Sequence, residues 1–181
     1  MESGHLRVYL SSTFEDLKEH RSAVAAALAK AGLNVTRMES YPAIDRTPLQ
    51  QCLEDVAHSE VYIGLFAWRY GYAPPAAENP QGKSLTELEY REAQRTGVRQ
   101  LLFCAHLDTR ARWPSGFVDD ITEDDGRKLN ALREEIGREK IVAFFRSPDE
   151  LSTLVLASIM RSGIVGRPYN IPALPTGMVA R

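Results

Sequence analysis

Four short stretches of the chain carry side chains that could do chemistry. Ser11-Ser12-Thr13 ends a strand-like run and offers hydroxyls beside the free amides of the helix that follows, a setting suited to a phosphate or carboxylate. Ser12 is equally explained as that helix's cap, which leaves Ser11 as the stronger site residue. Arg69-Tyr70-Gly71-Tyr72 sets a guanidinium among rings, a combination that clamps a phosphate and stacks on a base, or simply packs a long loop. Glu87 and Glu89 fall in the first turns of a helix opened by Ser84. Glu87 reads as the capping partner of Ser84, whereas Glu89, about 200° round the helix from it, has no such explanation. A carboxylate there could stabilise the cationic sugar centre that develops as a glycosidic bond breaks. The alternative is a solvated acid favoured by the helix dipole. Glu39 stands where doubly wound folds often grip a ribose, or is a lone surface acid. His106 and Asp108 with Ser11 would form a weak acid–base set.

Other chemistries lack their residues. No G-x-G-x-x-G follows the first strand and no G-x-S-x-G occurs. Gly82-Lys83-Ser84 imitates a phosphate-binding loop, but Ala77 stands where its first glycine belongs. Ser11-Ser12 and Ala67-Trp68 replace the acids of a phosphoryl receiver. The acidic cluster from Asp119 to Asp125 lacks calcium-loop spacing and reads as a solvated loop.

These residues need elements to bring them together, and strand and helix alternate strictly. Strands are predicted over 6–10, 33–38, 61–67, 99–106 and 140–145. The run at 61–67 is apolar throughout, as in a central strand covered on both faces. Helices are predicted from Phe14 to Ala31, from Thr47-Pro48, from Ser84 to Gly97, around Leu129, Leu132 and Ile136, and from Ser147-Pro148. Ser12/Glu15, Thr47/Gln50, Ser84/Glu87 and Ser147/Glu150 each have the spacing of a reciprocal cap. Five strand–helix units with short connections imply a three-layer α/β, flavodoxin-like fold with a five-stranded parallel sheet in the order 2-1-3-4-5. Its ligand crevice belongs at the carboxyl ends of strands one and three, where strand order reverses.

Composition agrees with one globular domain: 181 residues, net charge −2, 44% hydrophobic and 25% charged. The absence of a basic excess argues against nucleic acid as a direct partner. With no membrane-length apolar run and no signal-peptide pattern, a cytoplasmic protein without membrane contact is expected. Cys52 and Cys104 are too few for a disulfide framework or a zinc site of their own. Residues 1–162 are expected to form the domain. Residues 163–181 hold three Gly, three Pro and no acid, and read as a linker toward a further C-terminal region.

The runs RVYLSSTFEDLKEHR (7–21), RYGYAP (69–74) and SLTELEYREA (84–93) resemble the domain-of-unknown-function family numbered 4062, over Leu6 to about Leu107. That family is similar to the Toll/interleukin-1 receptor (TIR) and nucleoside deoxyribosyltransferase-like folds. The resemblance implies an N-terminal domain of a STAND protein, ahead of a NACHT or NB-ARC ATPase and repeats, as in bacterial innate-immunity (antiphage) proteins. In catalytic members of the TIR-like group, one glutamate on the helix after the third strand acts on the ribosyl bond of NAD or a nucleoside, with an alanine four residues later. Glu89 with Ala93 fits that pattern; Glu87 would place Arg91 there. The loop from Tyr72 to Lys83 is longer than in the enzymatic TIR domains, and the Trp-Cys pair that often precedes their glutamate is missing.

The resemblance thus implies an effector domain that hydrolyses the N-glycosidic bond of NAD or a related nucleotide when it self-associates. Glu89 would be catalytic. Ser11, Ser12, Thr13, Glu39 and Arg69 would bind the substrate, with Tyr70 or Tyr72 stacking on its base. The nucleotide is the substrate, and no separate cofactor or metal is expected. The alternatives are a non-catalytic module for homotypic interaction, or a nucleotide sensor without turnover.

Overall fold

A computed structural model describes residues 6–38, 45–118 and 126–163. Glu39, the acidic cluster and nearly all of the expected linker lie outside them. The element order is β1 (Arg7–Ser11), α1 (Lys18–Lys30), β2 (Asn34–Thr36), α2 (Pro48–His58), β3 (Val61–Phe66), α3 (Leu85–Thr96), β4 (Arg99–Ala105), α4 (Arg127–Glu139), β5 (Val142–Phe145) and α5 (Pro148–Arg161). Two short 3-10 turns, Leu107–Arg112 and Ser115–Phe117, follow β4 and were not legible as elements in the sequence. The five strands pair in parallel in the order β2-β1-β3-β4-β5, as the alternation predicts.

Strand pleating sorts the core into two layers, because successive side chains leave opposite faces of a sheet. Val8 and Leu10 of β1 join Val61, Ile63 and Leu65 of β3 against Leu17, Val24 and Leu28 on the α1 side and Leu151, Val155 and Ile159 of α5. Tyr9, Tyr62 and Phe66 point the other way, onto Cys52 and Val56 of α2, Tyr90 and Ala93 of α3, and Leu132 and Ile136 of α4. All six residues of β3 are buried, as expected for a central strand covered on both faces. Gly64, opposite Ser11, leaves room for its neighbours' rings. A Cβ there would come within 2.8 Å of Phe66 and 2.9 Å of Tyr62.

The helix starts depart from expectation in an instructive way. Only Thr47 forms the full reciprocal cap with Gln50. Ser84 and Ser147 accept from the third amide, but Glu87 and Glu150 send their carboxylates elsewhere. Ser12 caps nothing: its hydroxyl donates to the Thr13 carbonyl at 2.6 Å and accepts from Arg21. Residues 14–17 therefore turn rather than coil, and α1 begins four residues later than predicted, at Lys18, with no side-chain cap. That turn becomes one wall of the cavity described next. No helix among the described residues is long and apolar enough to cross a membrane.

Candidate functional site

Strand β1 delivers Tyr9 and Ser11 to the same face of the sheet, two residues apart, toward the first turns of α3. There Glu89 shares a buried stripe with Thr86, Tyr90 and Ala93, and it is only 4% exposed. Tyr9 Oη donates to Glu89 Oε1 at 2.6 Å, and Ser11 Oγ donates to Oε2. Burial pushes the Glu89 carboxyl above its ordinary value. The bonds from Ser11 and Tyr9, the charge of Arg21 and the Cys52 thiol pull partly against it. Glu87 differs completely, although it is also buried. It accepts from Lys83 Nζ at 2.7 Å, Tyr70 Oη at 2.5 Å and Arg91 at 3.0 Å. Arg91 in turn bridges to Glu135 of α4. Burial alone would raise the Glu87 pKa, but these donors bring it below the usual range.

Glu89 lies on the wall of a cavity of about 290 Å³ at the carboxyl end of β1, which also draws on Arg21, Met38, Arg69 and Thr86. This is the switch point between β1 and β3. Ser11 is buried behind it as the partner of Glu89, and Ser12 is on its wall beside Arg21. Thr13 also lines it, and its Oγ1 is buried without a hydrogen-bond partner among the described residues. Arg69 reaches the wall half-buried, its guanidinium 5.6 Å from the centre of the Phe117 ring. Tyr72 stands 67% exposed at the mouth, with Phe14 beside it. Gly71 holds this loop against β1. Its φ is +95°, and a Cβ would lie 2.8 Å from Thr13 Cγ2. Three expected residues are elsewhere. Tyr70 is off the cavity wall, its hydroxyl spent on Glu87 and Lys128 lying over its ring. His106 pairs with Asp108 at 2.7 Å, and Asp108 also with Arg146, likewise off the wall.

Two residues escaped the sequence reading, and both carried a signal. Tyr9 is two positions before Ser11 and so must share its face. Arg21 interrupts the apolar stripe of Leu17, Val24 and Leu28, and a charge at a buried helical spacing asks for a partner. Among the described residues, no three His, Cys, Asp or Glu side chains are grouped to hold a metal.

The sequence match spans nearly all of this architecture. Residues 7–160 match the family model described as "Domain of unknown function (DUF4062)". The chain belongs to this family. Among curated proteins, the DUF4062 chain is similar to "Telomerase protein component 1" of Mus musculus, 24% identical over 177 residues, covering 76% of this chain and 7% of that protein. The protein of the same description from Rattus norvegicus is 26% identical over 125 residues, covering 52% of this chain and 5% of that protein. The chain therefore spans only a small part of the length of these relatives. Among solved structures, it resembles the TIR domains of the activated Roq1 resistosome directly recognizing the pathogen effector XopQ. That match has a TM-score of 0.55 and 12% identity, and covers 85% of this chain and 99% of that one. The Clostridium botulinum CMP N-glycosidase BcmB matches with a TM-score of 0.47 and 15% identity, covering 83% and 98%. The DUF4062 domain thus has a three-layer flavodoxin-like fold of the TIR-like kind.

Proposed function

We propose that this domain is a TIR-like effector that hydrolyses the N-glycosidic bond of NAD or a related nucleotide when copies of it assemble. The observation that carries the reading is Glu89: a buried carboxyl gripped by Tyr9 and Ser11 on the wall of a cavity at the sheet's switch point. Arg91 pairs with Glu87 and Glu135, so the charge network of α3 leaves Glu89 to its hydroxyl partners. In the proposed step the C1′–N bond breaks and its electron pair leaves with the base. The Glu89 carboxylate stabilises the oxocarbenium-like sugar, and a water molecule adds at C1′ and releases a proton. Thr13, whose hydroxyl has no partner among the described residues, and Arg69 would hold phosphate, and Tyr72 at the mouth would stack on a base. The same proposal places the domain in the cytoplasm, within a STAND-type parent whose further C-terminal region controls assembly.

The test is nicotinamide release from NAD by protein held as an oligomer, alongside Glu89→Gln. Turnover is expected in the wild type and a loss of about 100-fold or more in the variant. Equal rates, or none in the assembled wild type, would rule the reading out.

A second reading, a homotypic interaction module without turnover, is favoured by the β5 edge. There Phe144 is 51% exposed on a strand with one side unpaired among the described residues, and Ile141 just before it is fully exposed. Self-association abolished by Phe144→Lys, with no nucleotide bound calorimetrically, would select it.

A further inference from the structure

We propose that Thr86 is a specificity-determining residue of this cavity. With Thr13 and Arg69 it forms an anion subsite at the N-terminus of α3, one helical turn from Glu89. The subsite selects substrates with a phosphoryl group on C5′ of the ribose whose bond is cut, and rejects free nucleosides. The inference rests on the proposed cleavage at Glu89, which fixes the ribose that the phosphoryl group must belong to.

The first amides of α3 have no partners within the helix. The Leu85 amide donates to the Tyr72 carbonyl at 2.8 Å, and the Glu87 amide to the Ser84 hydroxyl at 3.2 Å. The Thr86 amide between them has no acceptor among the described residues, and the Thr86 hydroxyl makes no hydrogen bond there either. Thr86 is 7% exposed and lies on the cavity wall, on the helix stripe it shares with Glu89. Thr13 points to a ligand independently: it is 8% exposed on the same wall, and its buried Oγ1 has no partner among the described residues. The two threonines are neighbours across Gly71. The point where a Gly71 Cβ would stand is 2.8 Å from Thr13 Cγ2 and 3.9 Å from Thr86 Oγ1. Arg69, half-buried on this wall, packs over the Phe117 ring and forms no ion pair among the described residues.

Buried hydroxyls and amides left unmet cost free energy unless a ligand accepts from them. Two hydroxyls, an amide and a guanidinium all donate, so the group that satisfies them is an acceptor of negative charge. The end of the helix favours the same sign. Glu87, whose charge would oppose an anion here, is paired with Lys83 and Arg91. A phosphoryl group turns its oxygens toward donors in several directions, whereas a planar carboxylate offers two. Residues three apart on a helix stand about 5–6 Å apart at Cβ. That spacing suits a substrate with C1′ at Glu89 and the C5′ phosphoryl group at Thr86, one furanose ring away. A nucleoside would leave the same donors desolvated and unpaired, which is how a polar pocket rejects a ligand that lacks the matching group.

Calorimetric titration of the full chain with ribose 5-phosphate and with ribose, in phosphate-free buffer, tests this. Ribose 5-phosphate is expected to bind, and ribose to show no binding over the same concentration range. Thr86→Val keeps the shape and removes the hydroxyl, and should weaken ribose 5-phosphate by about 10-fold or more. Thr86→Ser keeps the hydroxyl and should stay within a few-fold of the wild type. Absent binding of ribose 5-phosphate, equal binding of ribose, or unchanged affinity in folded Thr86→Val overturns the proposal. A serine variant as weak as the valine variant also overturns it, because the hydroxyl would then not be the group that binds. If Thr86→Val does not fold, Arg69→Gln decides in its place, with about a 10-fold loss expected and an unchanged affinity overturning the proposal. These titrations do not depend on turnover. Phosphate-selective binding with no NAD hydrolysis by the assembled wild type would overturn the enzymatic reading and leave the anion subsite standing. Hydrolysis without phosphate selectivity would do the reverse.

Discussion

Glu87 and Glu89 stand two residues apart and are driven in opposite directions. At Glu89 burial outweighs the hydroxyl donors, so the folded state holds a proton more tightly than the unfolded chain does. Its ionisation therefore costs stability, a cost that grows as pH rises from the ordinary carboxyl range through the raised folded value. Glu89→Gln is expected to raise the melting temperature at neutral pH, because it removes an ionisation that burial disfavours. The gain should fade as pH falls below the ordinary carboxyl range, where both states of the wild type carry the proton. A stabilised but inactive variant is the expected signature of a working carboxylate. Glu87 has the reverse sign. Burial raises its pKa, but Lys83, Tyr70 and Arg91 lower it further, so its stabilisation is present above the ordinary carboxyl range and is lost as pH falls through the depressed folded value. Glu87→Gln is expected to cost about 1–3 kcal/mol at neutral pH in urea unfolding, with the difference shrinking in strong acid. Tyr70 belongs to this cluster: burial and its bond to Glu87 push its pKa to about 12.

At the scale of elements, the site depends on two turns that leave β1 and β3. The first gives up a helical turn, because the Ser12 hydroxyl is taken by Arg21 and the Thr13 carbonyl and cannot cap α1. The second passes through Gly71, whose left-handed conformation and contact with Thr13 bring the two turns together. Gly71→Ala is expected to cost at least about 1–2 kcal/mol for the backbone alone, with a further penalty from the Thr13 contact. Because the strain falls on the cavity wall, the nucleotide affinity that the proposed function requires should drop in calorimetry along with the urea midpoint. Capping geometry, by contrast, was readable from spacing at Thr47-Pro48-Leu49-Gln50. It misled at Ser12 and at the carboxylates of Glu87 and Glu150, because long-range partners compete for the same atoms.

At the scale of the whole molecule, the two hydrophobic layers run as far as Ile159 among the described residues, where the last described tie is the bond from Arg99 to the Ser162 carbonyl. We propose that the domain ends at about residue 162: a chain ending at Gly163 is then expected to keep the thermal transition of the full chain within a few degrees, and a collapse of that transition would show that residues beyond it belong to the fold. The sequence by itself determined the layers and the strand order, since buried periodicities of two and about 3.6 and the handedness of crossovers are local rules. It also singled out Glu89 and Ser11 as residues that local structure does not use. Only the tertiary structure decided what surrounds them. Tyr9 and Glu89 are 80 positions apart and meet because β1 packs against α3, while Arg21 joins them through α1 on the cavity wall. Tyr70 was drawn away by Glu87 for the same reason. A side chain's partners depend on which atoms compete for it in three dimensions, and that competition leaves no period in the chain.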